Sequence, residues 1–139
     1  MKRLAVLFLI LLSTPALAGG FSFESRVAYI EDGDTFRLMV PRVNIRLCGV
    51  DTPRKNSVAG QAATRALRSL IEGRTVSCLA VGDGTPCDGR SPKKSYNRFV
   101  AQCFVDGRDL AELLAGKGVA CDWPKYSGGY YGKWAKCAR

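Results

Sequence analysis

Two short acidic turns place Asp34 and Asp51 seventeen residues apart. The first is Asp32-Gly33-Asp34-Thr35, the second Asp51-Thr52-Pro53. Between them Arg46 interrupts an apolar run. Carboxylate and carbonyl oxygens are the donors that a hard cation such as calcium takes. A guanidinium suits carboxylate or phosphate, which it meets with two parallel hydrogen bonds. A second arginine, Arg98, opens a later apolar run. Two carboxylates and two guanidiniums so placed suit pairing with one another or with charged partners. Each also has a plainer reading. Asp34 suits a turn after Gly33, and Asp51 a cap before Pro53. Arg46 could simply pair with either acid, and Arg98 could be a charge at a strand edge.

Such residues need a frame that brings them together. Residues 21–30 read as a strand, with Phe21, Phe23, Val27 and Tyr29 on odd positions. Asp32-Gly33 signals a turn, and residues 35–40 return as a second strand that Pro41 closes. Residues 43–50 alternate as a third strand, with Val43, Ile45 and Leu47 on one face and Arg46 on the other. A polar loop over 51–60 follows. Ala63, Ala66, Leu67, Leu70 and Ile71 then form one apolar helix face, stopped by Gly73. Residues 76–81 and 99–105 read as the fourth and fifth strands, joined by a long loop over 82–95 that carries Cys87. Asp109, three residues before Glu112, opens a short helix through Lys117. At most one short final helix fits, over 130–138. Five strands with a helix after the third is the order of an OB-fold barrel. The expected class is α+β, mainly β: one five-stranded OB-fold barrel with two to three helices.

The chain opens with Lys2 and Arg3, a nine-residue apolar core and an Ala16-Leu17-Ala18 cleavage pattern. That is a secretory signal peptide over residues 1–18, too short in its apolar part to span a bilayer. The expectation is a secreted or periplasmic domain over 19–139 with no membrane anchor after cleavage, and a monomer. The leader holds two of the 21 basic residues and none of the 12 acids, leaving a net charge of +7. A basic exported protein suits nucleic acid, DNA or RNA, or another polyanion.

Six cysteines follow the leader: Cys48, Cys78, Cys87, Cys103, Cys121 and Cys137. An even count in an oxidising compartment implies disulfides. Cys78 and Cys103 fall on strands that the barrel makes neighbours, so they are expected to pair. For the rest, Cys87–Cys121 with Cys48–Cys137 is one of three pairings. The chain has no histidine, which excludes a Ser-His-Asp centre, and no C-x-x-C that would suggest zinc.

Three stretches, "IEDGDTFRL", "IRLCGVDTP" and "YNRFVAQCFVDGRDLAELLAGKGVA", resemble the staphylococcal nuclease (thermonuclease-like) family, from about Val27 to Trp123. The resemblance implies calcium-dependent hydrolysis of DNA and RNA phosphodiesters. It implies that Asp34, Asp51 and the carbonyl of Thr52 hold Ca2+, and that Arg46 and Arg98 bind the phosphate as catalytic arginines. Three features depart from the family pattern. Arg54 stands where the family has a glutamate that acts on the attacking water. The segment around "TPCDGRSPKKS" is longer than the family's turn, and most of the last helix is missing. Arginine cannot accept a proton near neutral pH. No acid occurs between residues 52 and 71 to replace that glutamate, and Asp83 and Asp88 would need an unusual fold-back to do so. Three classes stay open: a nuclease of reduced activity, a catalytically silent OB module whose Arg54 and Lys55 add to phosphate binding, and a disulfide-stapled binder of another polyanion or protein.

Overall fold

The computed structural model describes residues 20–134. The expected leader, Cys137 and the end of the expected final helix lie outside the described residues. Nine strands and three helices follow one another in that range: β1 Phe23–Ile30, β2 Thr35–Leu38, β3 Asn44–Leu47, β4 Val50–Asp51, α1 Val58–Ile71, β5 Thr75–Ala80, β6 Lys94–Ser95, β7 Arg98–Val105, β8 Arg108–Asp109, α2 Leu110–Gly116, β9 Cys121–Asp122 and α3 Pro124–Ser127.

Five of these strands close a ring. β1 runs antiparallel to both β2 and β5. β2 pairs with β3, and β5 with β7, also antiparallel. β3 then lies parallel to β7, with Asn44 opposite Arg98 and Leu47 opposite Ala101. The result is the OB-like barrel, supplemented by short strands and three helices. Closure matters for the site, because it sets β3, which carries Arg46, directly beside β7, which starts with Arg98.

Inward-facing Phe36, Leu38, Ile45, Leu47, Val76 and Cys103 fill the barrel and are fully or almost fully buried. Helix α1 covers one end with Ala63, Leu67 and Ile71, spaced four residues apart. It begins five residues before the expected apolar face, because Ser57 caps it: the Ser57 hydroxyl accepts from the Gly60 N–H at 2.9 Å. Val58, in the first turn, is exposed and so gave no periodic signal. Helix α2 is capped by Asp109, whose carboxylate accepts from Ala111 and Glu112 N–H groups.

The third strand is shorter than expected. After Leu47 the chain turns at Cys48-Gly49, and Val50–Asp51 leaves the barrel to pair with β9. The helical turn of the tail comes earlier than expected, at Pro124–Ser127, and the chain continues in turns through Trp134. No helix of the described residues is long and apolar enough to cross a membrane.

Cys78 and Cys103 are bonded across β5 and β7, their Cα atoms 4.1 Å apart. The other two expected pairings are overturned. Cys48 bonds Cys87 rather than Cys137, and Cys87 is therefore not joined to Cys121. The reason lies in the path of the long loop. Val81 leaves β5 hydrogen-bonded to the Val100 carbonyl, and the Cys48 N–H bonds the next carbonyl, that of Ala101, at 2.9 Å. The loop thus starts beside the turn after β3, and Cys48, Val81, Cys87 and Val100 form a small second core. Cys121 is also oxidised.

Gly60 fixes the loop between β4 and α1. A Cβ there would lie 1.9 Å from the Arg54 carbonyl oxygen and 2.6 Å from its carbon. Backbone cannot yield as a flexible side chain does. Gly60→Ala is therefore expected to destabilise the fold by about 2–3 kcal/mol, read from urea midpoints. An unchanged midpoint would show that the loop slides freely on the helix.

Candidate functional site

Asp34 sits at the end of the turn from β1 to β2, nearly enclosed. Its carbonyl accepts from the Leu47 N–H at 2.9 Å, which ties the turn to β3. Gly33 lets the turn pack closely, since a Cβ there would come within 2.6 Å of the Ala63 Cβ and 3.1 Å of the Thr52 methyl. The carboxylate is fully engaged. Thr35 donates to Oδ1 at 2.9 Å, and Thr52 donates to Oδ2 at 3.0 Å.

Arg46 reaches in from β3. Its Nη2 is 3.2 Å from Asp34 Oδ2 and 3.6 Å from Asp51 Oδ1. The same nitrogen donates to the Val50 carbonyl at 3.0 Å, and Nη1 donates to the Leu47 carbonyl. One cationic nitrogen thus lies between two carboxylates, contributed by two separate turns. Arg98 approaches from the neighbouring strand. Its Nη1 donates to the Thr35 hydroxyl at 3.2 Å, and Ser95 holds its other nitrogens through the backbone carbonyl at 3.2 Å and the hydroxyl at 3.0 Å. Thr35 therefore connects Arg98 to Asp34. The barrel brings Asp34, Arg46, Asp51, Thr52 and Arg98 into one cluster.

Burial pushes the Asp34 carboxyl up to about 6, against the pull of the Arg46 guanidinium and with a further push from Asp32. The folded value lies above the ordinary 3.8. Between the two values the folded protein holds the proton more tightly than the unfolded chain. The contribution to stability is therefore full below about pH 4 and is lost as pH rises through about 6. The stability of Asp34→Asn relative to the parent is expected to rise by about 2 kcal/mol between pH 4 and pH 7. Paired thermal melts at the two pH values check this; equal gains at both would show that the charge is not the cause.

Of the two cations that the silent-module reading adds to phosphate binding, Lys55 is already paired while Arg54 stands exposed. Lys55 is turned to Glu31, with Nζ 2.7 Å from Oε1. Arg54 is exposed, and its backbone carbonyl accepts from the Ser57 N–H at 2.9 Å and hydroxyl at 2.7 Å. Neither loop acid folds back to the site. Asp88 accepts from Gly82, Gly84 and Thr85 within its own loop, and Asp83 accepts from Ser22. Burial acts to raise the Asp88 carboxyl, but those hydrogen bonds prevail and hold it below its ordinary value.

Two features of the site were not read from the sequence. Tyr96 stands almost fully exposed in the turn between β6 and β7, its backbone at φ 56° and its ring 5.7 Å from the Arg98 guanidinium carbon. Beyond the arginines lies a pocket of about 210 Å³ bounded by Arg46, Arg98, Pro92, Trp123 and Tyr126. The rings of Trp123 and Tyr126 meet edge to face, 4.7 Å apart. The Cys48–Cys87 bond holds the long loop against this pocket. The oxygen donors gathered at the site are the Asp34 and Asp51 carboxylates, already engaged by Arg46, and neighbouring carbonyls. Among the described residues no group of three or more acids, cysteines or histidines gathers for a metal.

Comparison with known proteins agrees with this geometry. Two proteins, from Escherichia coli O157:H7 and Escherichia coli, each described as an uncharacterized endonuclease, are 28% identical over 130 residues, covering 91% of this chain and 77% of theirs. The family model described as "Staphylococcal nuclease homologue" matches residues 44–136, which run from β3 past the last described turn. The barrel order, the paired acids around Arg46 and this match together show that the chain belongs to the family of staphylococcal nuclease homologues.

Proposed function

We propose that the protein is a slow, calcium-dependent phosphodiesterase that binds single-stranded DNA or RNA. The observation that carries this reading is the Arg46 nitrogen held 3.2 Å from Asp34 and 3.6 Å from Asp51, with Arg98 joined to the same acid through Thr35. The donor set fits a hard divalent cation. All its members are oxygens, and a nearly enclosed carboxylate whose pKa burial has raised gains from added positive charge. Asp34, Asp51 and the Thr52 carbonyl would hold it, and when bound it supplies polarisation of a phosphoryl oxygen. Arg46 and Arg98 orient the phosphate and meet the charge that develops on it. The pocket at Trp123 and Tyr126 suits one base lying beside that phosphate. Two disulfides among the described residues support an oxidising compartment, secreted or periplasmic.

Turnover is slow because position 54 holds a cation in place of the family's proton acceptor. A second reading, binding without turnover, is favoured by that same residue. A nuclease assay on the mature protein separates them. Labelled single-stranded DNA and RNA are incubated with calcium or with a chelator. The expected result is binding in both, with cleavage only with calcium and below about 1 per second. Binding with no cleavage at any calcium concentration selects the silent module. Absence of both overturns the proposal.

A further inference from the structure

Beside the candidate site two shallow grooves adjoin at Tyr29 and Glu31, one over β1, β2 and β3, the other between β1 and α1. One part, about 450 Å³, begins at Arg98 and Tyr96 and extends to Tyr29 and Glu31. A second part, about 430 Å³, takes over at Tyr29 and Glu31 and follows α1 past Lys55 and Arg65 to Arg68. Tyr29 lines both parts and is 52% exposed, although it lies within a strand. Large aromatic rings in β-sheets are usually covered; this one stands in the groove where its two halves meet.

The charge along the α1 side of the groove is one-sided. The α1 helix and the loop before it present Arg54, Lys55, Arg65 and Arg68, all exposed, with no acid from residue 52 to 71. Two acids line the groove, Glu31 and Asp32, both near its middle and not on α1. Glu31 is paired with Lys55 at 2.7 Å, and Asp32 accepts from the Asp34 N–H at 3.1 Å. Arg54 and Arg65 make no ion pair among the described residues and leave the face positive. An aromatic ring set among cations is what a single strand uses: bases stack on the ring while phosphates follow the charge.

We propose that this groove, from Tyr96 across Tyr29 to Arg65 and Arg68, is a second binding site that holds the continuation of a single-stranded DNA or RNA chain whose phosphate is seated at Arg46 and Arg98. The proposal rests on the reading given under Proposed function. It makes Tyr29 a stacking platform and Arg65 a phosphate contact, and it extends the site beyond one or two nucleotides. An OB barrel of this kind covers about 4–16 nucleotides, so a dinucleotide occupies only the arginine pair while a ten-mer reaches the helix.

Fluorescence anisotropy tests it at low salt and without calcium, using labelled oligothymidylates and oligouridylates of two and ten nucleotides. The expected result is that the ten-mers bind at least about tenfold tighter than the dinucleotides. Tyr29→Ser and Arg65→Ser each remove most of that gain and leave dinucleotide affinity unchanged, which also shows that the variants are folded. Tyr29→Phe keeps the gain. Arg65→Ser also lowers the slope of log affinity against log salt by about 0.7. A length gain that survives both serine variants overturns this second site while leaving the proposed function standing. Failure of both lengths to bind the unaltered protein overturns the two together.

Discussion

Replacing Arg54 by glutamate is expected to raise calcium-dependent cleavage of single-stranded nucleic acid by about 10²-fold, the lower end of what a positioned general base contributes. The position is suited to the change. Residue 54 follows Asp51-Thr52-Pro53 directly, and its side chain is exposed. Its carbonyl is fixed by two groups of Ser57 and packed against Gly60. A new side chain would therefore start from a well-defined backbone rather than a loose loop. The same substitution turns a cation into an anion, so affinity for nucleic acid should fall while turnover rises. A simple binding defect cannot produce that pairing. Arg54→Gln removes the positive charge without adding a proton acceptor, and it should bring little of the gain. Initial rates and binding constants measured at one salt and calcium concentration decide the matter. If the unaltered protein already turns over at about 1–10³ per second, Arg54 does not limit it.

Arg46→Met should produce the largest loss. This side chain is the cation between Asp34 and Asp51, and Asp34 has little solvent to fall back on. Its removal leaves a nearly enclosed carboxylate beside the Asp32 charge. Breaking such a pair from one side typically costs about 3–5 kcal/mol; the half-exposed position of Asp51 places this case near the lower figure. Activity should fall further than stability accounts for, by about 10²-fold or more, because a phosphate contact is lost with the pair. Calcium should restore much of the lost stability and none of the activity. Melting temperatures with and without calcium, beside cleavage rates well below the melt, separate the two effects. A variant as stable and as active as the parent would remove Arg46 from the site.

The parts of this site that could be read in the sequence share a property. Asp34, Arg46 and Asp51 are chemically out of place in their local setting: acids in tight turns, and a cation on an apolar strand. The strand order alone then sets Arg98 beside them, because closing a barrel requires β3 to meet β7. What could not be read depended on partners remote in the chain. Lys55 looked like a phosphate ligand until Glu31, 24 residues earlier, proved to hold it. Cys87 looked free to reach several partners, since a loop of that length has no fixed return path. The start of α1 was hidden because its signal is a cap, Ser57, rather than a periodic face. Tyr96 carried no pattern at all; its importance lies in a backbone at positive φ that holds the ring out beside Arg98.

The two disulfides also decide what a protease can do to this molecule. The exposed segment from Asp88 to Lys94 holds Arg90, Lys93 and Lys94, natural cleavage points for a trypsin-like enzyme. Any cut there falls between Cys78 and Cys103, whose bond spans it, and leaves Cys48 and Cys87 together on the earlier fragment. The two pieces therefore stay covalently joined across β5 and β7. A nicked molecule would migrate as one species until reduced and would keep its barrel ring. Scission of this loop would instead release the segment carrying Ser91 and Pro92, the wall that narrows the pocket beside Arg46 and Arg98. Such damage would widen access to that pocket without dismantling the scaffold behind it.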